Sequence, residues 1–192
     1  MEVTIELTEE MLGTASANKD LYEEFIASKR PDGVDGEELD TLPEVSEELE
    51  KSTTVFHRED GKPIIYDYQI KGFFKDACGC LRRVKSTKSA KLKAYKKVID
   101  GLVFIDQRTI KLDVDEVGIC ERPLRAQTAQ GERVALARSE TVPAGTTFDL
   151  TINLLDESLE STVIEWLDYG KLRGLGQWRN SGKGRFSYEV KS

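Results

Sequence analysis

The sequence predicts an α+β fold built on a split βαβ core, and three observations carry that prediction. Two segments alternate apolar and polar residues as half-buried strands do: "VTIEL" (3–7) and "TTFDLTINLL" (146–155). In the second, Phe148, Leu150, Ile152 and Leu154 oppose Asp149, Thr151 and Asn153. Two other segments repeat apolar residues at helical spacing, through Ile70, Phe73, Phe74, Ala77 and Leu81 in one and Leu159, Val163, Trp166 and Leu167 in the other. Third, their order along the chain is strand, helix, strands, strand, helix, strand, with insertions.

Taken in order, the first strand is followed by "GTASANKDLYEEFIASKR" (13–30), which predicts a short helix. "PDGVDGEELDTLPEVSEELEKS" (31–52) is rich in acid, Gly and Pro and reads as an acidic insertion outside the core. "TTVFHREDGKPIIY" (53–66) reads as a hairpin turning at Asp60-Gly61. In the helix "YQIKGFFKDACGCLRR" (68–83), Lys71, Lys75 and Arg82 fall within about 40° of one another on a helical wheel, away from the apolar face. Gly72 and Gly79 each cost this helix roughly 1 kcal/mol relative to Ala, so either something approaches its backbone or it packs closely on a sheet.

"KSTKSAKLKAYKKVID" (85–100) extends the basic run, and "GLVFIDQRTIKLD" (101–113) predicts one or two strands. Residues 116–140, "EVGICERPLRAQTAQGERVALARSE", lack strong periodicity and hold Pro123, Gly131, Arg122, Arg125, Arg133 and Arg138; a protruding hairpin or loop, an insertion over about 113–140, is the expectation. "VPAG" (142–145) is a turn, Asp156 caps the second helix, and "GRFSYEV" (184–190) is the last strand. The plan is ferredoxin-like and is shared by RRM-like RNA-binding modules, within a single domain over residues 1–192.

Net charge is −7, which by itself speaks against nucleic acid, but the charge is segregated. Residues 1–60 carry 18 acidic and 5 basic side chains, net −13; residues 62–97 carry 11 basic and 2 acidic, net +9; residues 169–185 carry 5 basic and no acidic ones. One face able to meet polyanions follows, with a merely solvated lysine-rich surface as the alternative. No apolar run reaches the length of a membrane span, so no membrane partner is expected. Three cysteines do not form a disulfide framework, and a reducing, cytoplasmic setting is expected. One histidine and no Cys-x-x-Cys make a zinc site improbable, and no cofactor is expected.

The stretch "GLGQWRNSGKGRF" (174–186) asks for a phosphate and fails both nucleotide tests. A P-loop needs four residues between its first Gly and the Gly-Lys pair, then Ser or Thr; here five separate Gly176 from Gly182-Lys183, and Gly184 follows. A dinucleotide fingerprint needs a third Gly where Arg179 stands and a helix where a strand is predicted.

"ETVPAGTTFDLTINLL" and "IEWLDYGKLRGLGQWRNSGKGRF" resemble the RAMP superfamily, the repeat-associated RNA-binding proteins of CRISPR effector complexes, in which a Val-Pro-Ala-Gly strand precedes a helix and a glycine-rich loop precedes the final strand. "IKGFFKDACGCLRR" looks like the family's Gly-Ser-Ser-Leu-Lys-Gly segment, with Asp67-Tyr68-Gln69 where Gly-Ser-Ser is usual. "RAQTAQGERVALARSE" looks like the thumb hairpin of the backbone-forming subunits. The resemblance spans roughly residues 66–190. It implies an RNA-binding, non-catalytic assembly subunit that packs beside copies of itself or other RAMP-type subunits along a guide RNA, with target nucleic acid as a further partner.

On that view phosphates meet Lys71, Lys75, Arg82 and Arg83, the thumb-like arginines Arg122, Arg125 and Arg138, and the glycine-rich loop. The loop would offer backbone N–H groups at Gly174, Gly176 and Gly182, with Arg179, Lys183 and Arg185 adding charge. Trp178 either stacks on a base or covers the sheet as a core residue, and the core role is preferred. Arg179 and Arg185 have surface ion pairs as their plain alternative. Enzymatic readings are weaker. His57 is the one candidate imidazole, as some RAMP relatives process RNA with a His; Asp20, Asp32 and Asp35 lie where some backbone subunits carry a cleaving Asp. A further alternative is a viral decoy that binds effector subunits without RNA.

Overall fold

The computed structural model of the protein describes residues 1–16, 53–128 and 131–191, with the backbone alone for 124–128 and 131–135. The expected acidic insertion (31–52), most of the expected helix at 13–30, and Asp20, Asp32 and Asp35 lie outside the described residues.

The core is a four-stranded antiparallel sheet. Its strands are β1 (Glu2–Leu7), β7 (Val103–Ile105), β11 (Thr147–Leu154) and β12 (Phe186–Lys191), in the order β12-β1-β11-β7. With helices between β1 and β7 and between β11 and β12, this is the split βαβ connectivity the sequence predicts. Alternation does the placing. Val3, Ile5 and Leu7 of β1 and Phe148, Leu150 and Ile152 of β11 are all at most 4% exposed and face the helices. The helices are α1 (Asp67–Leu81), α2 (Tyr95–Leu102) and α3 (Glu160–Arg173). Ile70, Phe73, Phe74 and Ala77 of α1 and Val163, Trp166 and Leu167 of α3 close the core. Gly170 lets α3 sit on β12, because a Cβ there would overlap the buried Phe186 ring.

The other face of this sheet is open and polar. Glu2, Thr4 and Glu6, then Thr147, Asp149, Thr151 and Asn153, then Ser187, Glu189 and Lys191 share it by register. Thr4 and Lys191 both donate to Asp149, at 2.7 and 2.8 Å. An RRM stacks bases on sheet aromatics; these three strands present none, and the fourth, β7, adds Phe104, opposite Asn153 in register and 40% exposed.

Two smaller sheets flank the core. β2 (Met11–Leu12), β3 (Ala15–Ser16) and β4 (Thr53–Val55) join the long hairpin of β9 (Gly118–Thr128) and β10 (Gly131–Val142). β5 (His57–Glu59), β6 (Lys62–Tyr66) and β8 (Thr109–Lys111) form the third, with the turn at Asp60-Gly61 as expected. One sequence expectation changes: Gly101 and Leu102 end α2, and the strands of 101–113 belong to two different sheets. Among the described residues no helix is long and apolar enough to cross a membrane.

Candidate nucleic-acid interface

At the start of α1, Gln69 closes the helix by accepting the Tyr66 N–H at 2.7 Å and donates to Thr14 at 2.8 Å. This ties the helix N-terminus to the β2–β3 segment. Beside it opens a cleft of about 460 Å³, bounded by Leu12 and Thr14, by His57, by Gln69 and Gly72 of α1, and by Gly176 and Arg179 of the glycine-rich loop. Gly72 is the unusual wall. A Cβ there would meet nothing within 4 Å, so no contact within the described chain requires a glycine at this helical position. Gly79 has the packing reason Gly72 lacks, since its Cβ would come within 3.1 Å of the Tyr95 hydroxyl.

The glycine-rich loop is more ordered than an open phosphate cradle. Gly174, Gly176, Gly182 and Gly184 all have φ between 71° and 87°. Gly174 and Gly184 are buried at its base, where Leu175 N–H donates to Gly184 O at 2.8 Å and Gly184 N–H to Glu10 O at 2.8 Å. The N–H of Gly174 donates to Gly170 O and that of Gly182 to Arg179 O, each at 3.0 Å. The N–H groups expected to face outward at Gly174 and Gly182 are thus already used, and Gly176 remains on the cleft wall.

The cations divide differently from the sequence expectation of one continuous groove. Lys71 donates to Asp100 O at 3.2 Å and lies 4.6 Å from the Phe104 ring; Lys75 pairs with Asp100 at 2.5 Å. Asp76, one residue on, is turned about 100° around the helix and pairs with Arg173 at 3.1 Å and Arg179 at 2.9 Å. Lys183 pairs with Glu10, whose carboxylate pushes the lysine pKa up. Arg185 donates from Nε to Leu172 O at 3.0 Å. In the hairpin, Arg138 pairs with Glu121 at 2.8 Å; the Arg125 side chain lies outside the described residues. Trp178 is 41% exposed with φ 53°, so the expectation of a core residue covering the sheet is corrected; the fully buried tryptophan is Trp166.

The segment after α1 behaves otherwise. Arg82 lies over the Tyr95 ring at 5.2 Å. Arg83, Lys85, Lys91, Lys93, Lys96 and Lys97 are exposed, and none makes an ion pair with the described residues. Arg83 lies eleven residues beyond Gly72, roughly 16 Å at 1.5 Å per residue if the helical rise held throughout, so this basic surface and the cleft occupy opposite ends of α1.

A single acid holds the basic segment in place. Glu165 accepts from Lys88 N–H at 2.7 Å, Ser89 N–H at 3.0 Å and the Ser89 hydroxyl at 2.6 Å, while Trp166 Nε1 donates to the same hydroxyl at 3.0 Å. Burial pushes the Glu165 carboxyl up, but these bonds outweigh it and hold the group below the ordinary glutamate range. Glu165→Ala is expected to cost about 1.5–3 kcal/mol, the worth of hydrogen bonds to a charged group. Because the folded-state pKa is depressed, the difference from wild type is full at neutral pH and closes as pH falls through that pKa. Urea denaturation across an acidic pH series checks it; a difference independent of pH would refute the assignment.

No family model matches the chain, and no curated protein matches it. Among solved structures it is similar to a chain of the Type III-B Cmr-beta complex, determined by cryo-EM bound to cognate target RNA. The TM-score is 0.56 at 13% identity, over 98% of this chain and 58% of that one. It is also similar to a chain of a Type IV-B CRISPR complex, with a TM-score of 0.49 at 12% identity, over 100% of this chain and 90% of that one. This chain thus spans somewhat over half the length of the first. At 13% identity the likeness to the Cmr-beta chain is one of fold.

Proposed function

We propose that the protein is an RNA-binding, non-catalytic assembly subunit of a CRISPR-type ribonucleoprotein, RAMP-like in kind, holding guide RNA for defence against foreign nucleic acid. The observation that carries this is the exposed run Arg83, Lys85, Lys91, Lys93, Lys96 and Lys97, which makes no ion pair among the described residues. A cation row of this kind suits a polyanion and adds association rate and phosphate contacts without reading bases. The fold shared with a Cmr-beta chain supports the same reading. Lys71, Lys75, Arg179, Lys183 and Arg185 would meet RNA only by exchanging the acid or carbonyl they now hold, so the main phosphate contacts fall to the exposed row and to Arg82.

The long β9–β10 hairpin serves as the thumb-like element on this view. It exposes Ile119 (51%) and Leu136 (45%), apolar side chains suited to a neighbouring subunit. The test is purification with and without nuclease, followed by binding of single-stranded RNA over a salt series. RNA carried through purification, and an affinity falling steeply with salt at about 0.7 in log–log slope per phosphate contact, is the expected result. Salt-independent or absent binding would sink the proposal. RNA cut by the wild type but left whole by His57→Ala would overturn its non-catalytic part, since His57 lines the cleft.

A further inference from the structure

We infer that Trp178 is a one-sided stacking platform for a base of single-stranded RNA, and that Arg122 beneath it is the residue that positions it. The inference rests on the RNA-binding reading above and adds a site to it.

Trp178 combines two costs that a folded chain ordinarily avoids. Its φ of 53° puts a bulky L-residue in the left-handed region. Its indole stands 41% exposed, although the same chain buries Trp166 completely. Neither strain nor exposure is returned as core packing. The arrangement under the ring is equally unusual. The Arg122 guanidinium lies 4.8 Å from the Trp178 ring centroid, and Arg122 is only 8% exposed. Among the described residues it makes one hydrogen bond, Nη1 to Ser139 Oγ at 3.1 Å, its buried Nε has no hydrogen-bond partner, and no carboxylate pairs with it.

A buried cation with no acid beside it among the described residues leans on the π face above it. The effect is geometric: the hairpin holds Arg122, Arg122 lies over one face of the indole, and the side chain is still 41% exposed. The occupant follows from the surroundings. An apolar protein pocket would ring the indole with apolar neighbours, whereas Gln177, Arg179, Asn180 and Ser181 beside it are polar or charged. A nucleobase offers a flat π face with a phosphate close by, which suits an exposed indole flanked by cations. Every base has such a face, so the platform is tolerant of sequence.

The experiment titrates the full-length protein with oligouridylate and follows tryptophan fluorescence and anisotropy together. Trp166 is buried, so the quench is expected to come from Trp178 and to vanish in Trp178→Phe. Trp178→Ala is expected to weaken binding roughly 5- to 100-fold at fixed salt, the range one base–aromatic stack commands, without changing the salt slope, because a stack releases no counter-ions. Trp178→Phe keeps most of the affinity. Arg122→Met, checked for unchanged far-UV circular dichroism, is expected to lose most of the fluorescence quench and part of the affinity, again at unchanged salt slope. If the wild type binds oligouridylate with a steep salt slope but shows no quench, and Trp178→Ala binds as tightly, the platform is refuted while the RNA-binding reading stands. If the wild type binds no RNA, both fall.

Discussion

Gly184→Ala is expected to destabilise the protein by about 3–5 kcal/mol, whereas Gly72→Ala is expected to leave it as stable as wild type or up to about 1 kcal/mol more so. The contrast comes from what each methyl would meet. At Gly184 φ is 71°, a conformation costing an L-residue roughly 1–2 kcal/mol. The new Cβ would also overlap the Leu175 carbonyl, which is backbone and not the movable end of a side chain. That backbone has little freedom to retreat, because Leu175 N–H donates to Gly184 O at 2.8 Å and Gly184 N–H donates to Glu10 O at 2.8 Å. Relieving the overlap therefore breaks the joint between the loop and the residues after β1. A loss of this size is a large share of the 5–15 kcal/mol that holds ordinary domains folded. At Gly72 the methyl enters open space on an α-helix, where only the helix propensity changes. Urea denaturation of the two variants decides it. Equal stabilities for Gly184→Ala and wild type would show that the loop base is looser than its hydrogen bonds state. If the cleft takes RNA, Gly72→Ala gains stability while losing affinity, a pairing that packing defects do not produce.

The fold was legible wherever burial imposes a period. Val3, Ile5 and Leu7, and Phe148, Leu150 and Ile152, announce strands because one face of a sheet is covered; Ile70, Phe73, Phe74 and Ala77 announce a helix for the same reason. Gly170 was less legible. It is one more residue in "DYGKLRG" until β12 lays Phe186 against it. The end of α2 at Gly101 and Leu102 was missed because an apolar "GLVF" carries no period to separate helix from strand.

The candidate site was legible in composition and not in geometry. Lys71, Lys75 and the basic residues after Leu81 look alike in sequence. Their difference depends on Asp100, which reaches Lys75, and on the absence of any such acid near Lys91 and Lys93 among the described residues. In the glycine-rich loop, Asp76 and Glu10 answer Arg179 and Lys183 from about 100 and 170 residues away, a pairing no local pattern encodes. The glycines did announce left-handed backbone. They gave no sign that Trp178 would share it, since a tryptophan at positive φ contradicts its own propensity and is held there by the surrounding loop.

Reversing Lys91, Lys93, Lys96 and Lys97 to glutamate together is expected to weaken binding to single-stranded RNA by at least about 100-fold at low salt, at roughly 1 kcal/mol for each close ionic contact in water. The slope of log affinity against log salt is expected to fall in magnitude by about 3, at roughly 0.7 for each phosphate contact removed. Folding is expected to survive, because the four side chains are exposed and give up no ion pair among the described residues, and such surface changes each stay within about 0.5 kcal/mol. Lys71→Glu with Lys75→Glu is the informative control. It removes two positive charges from the same part of the sequence, but from side chains that already answer Asp100. Its expected cost falls on stability, through two carboxylates set against Asp100, more than on RNA. Anisotropy of labelled RNA across a salt series, with a denaturation curve for each variant, separates the two effects. If the fourfold reversal bound RNA as wild type does and the Lys71/Lys75 pair did not, the phosphate path would run along the middle of α1, with Asp100 displaced to admit it. If neither changed binding, the basic segment would be a solvated surface, and the RNA-binding reading would lose the observation it stands on.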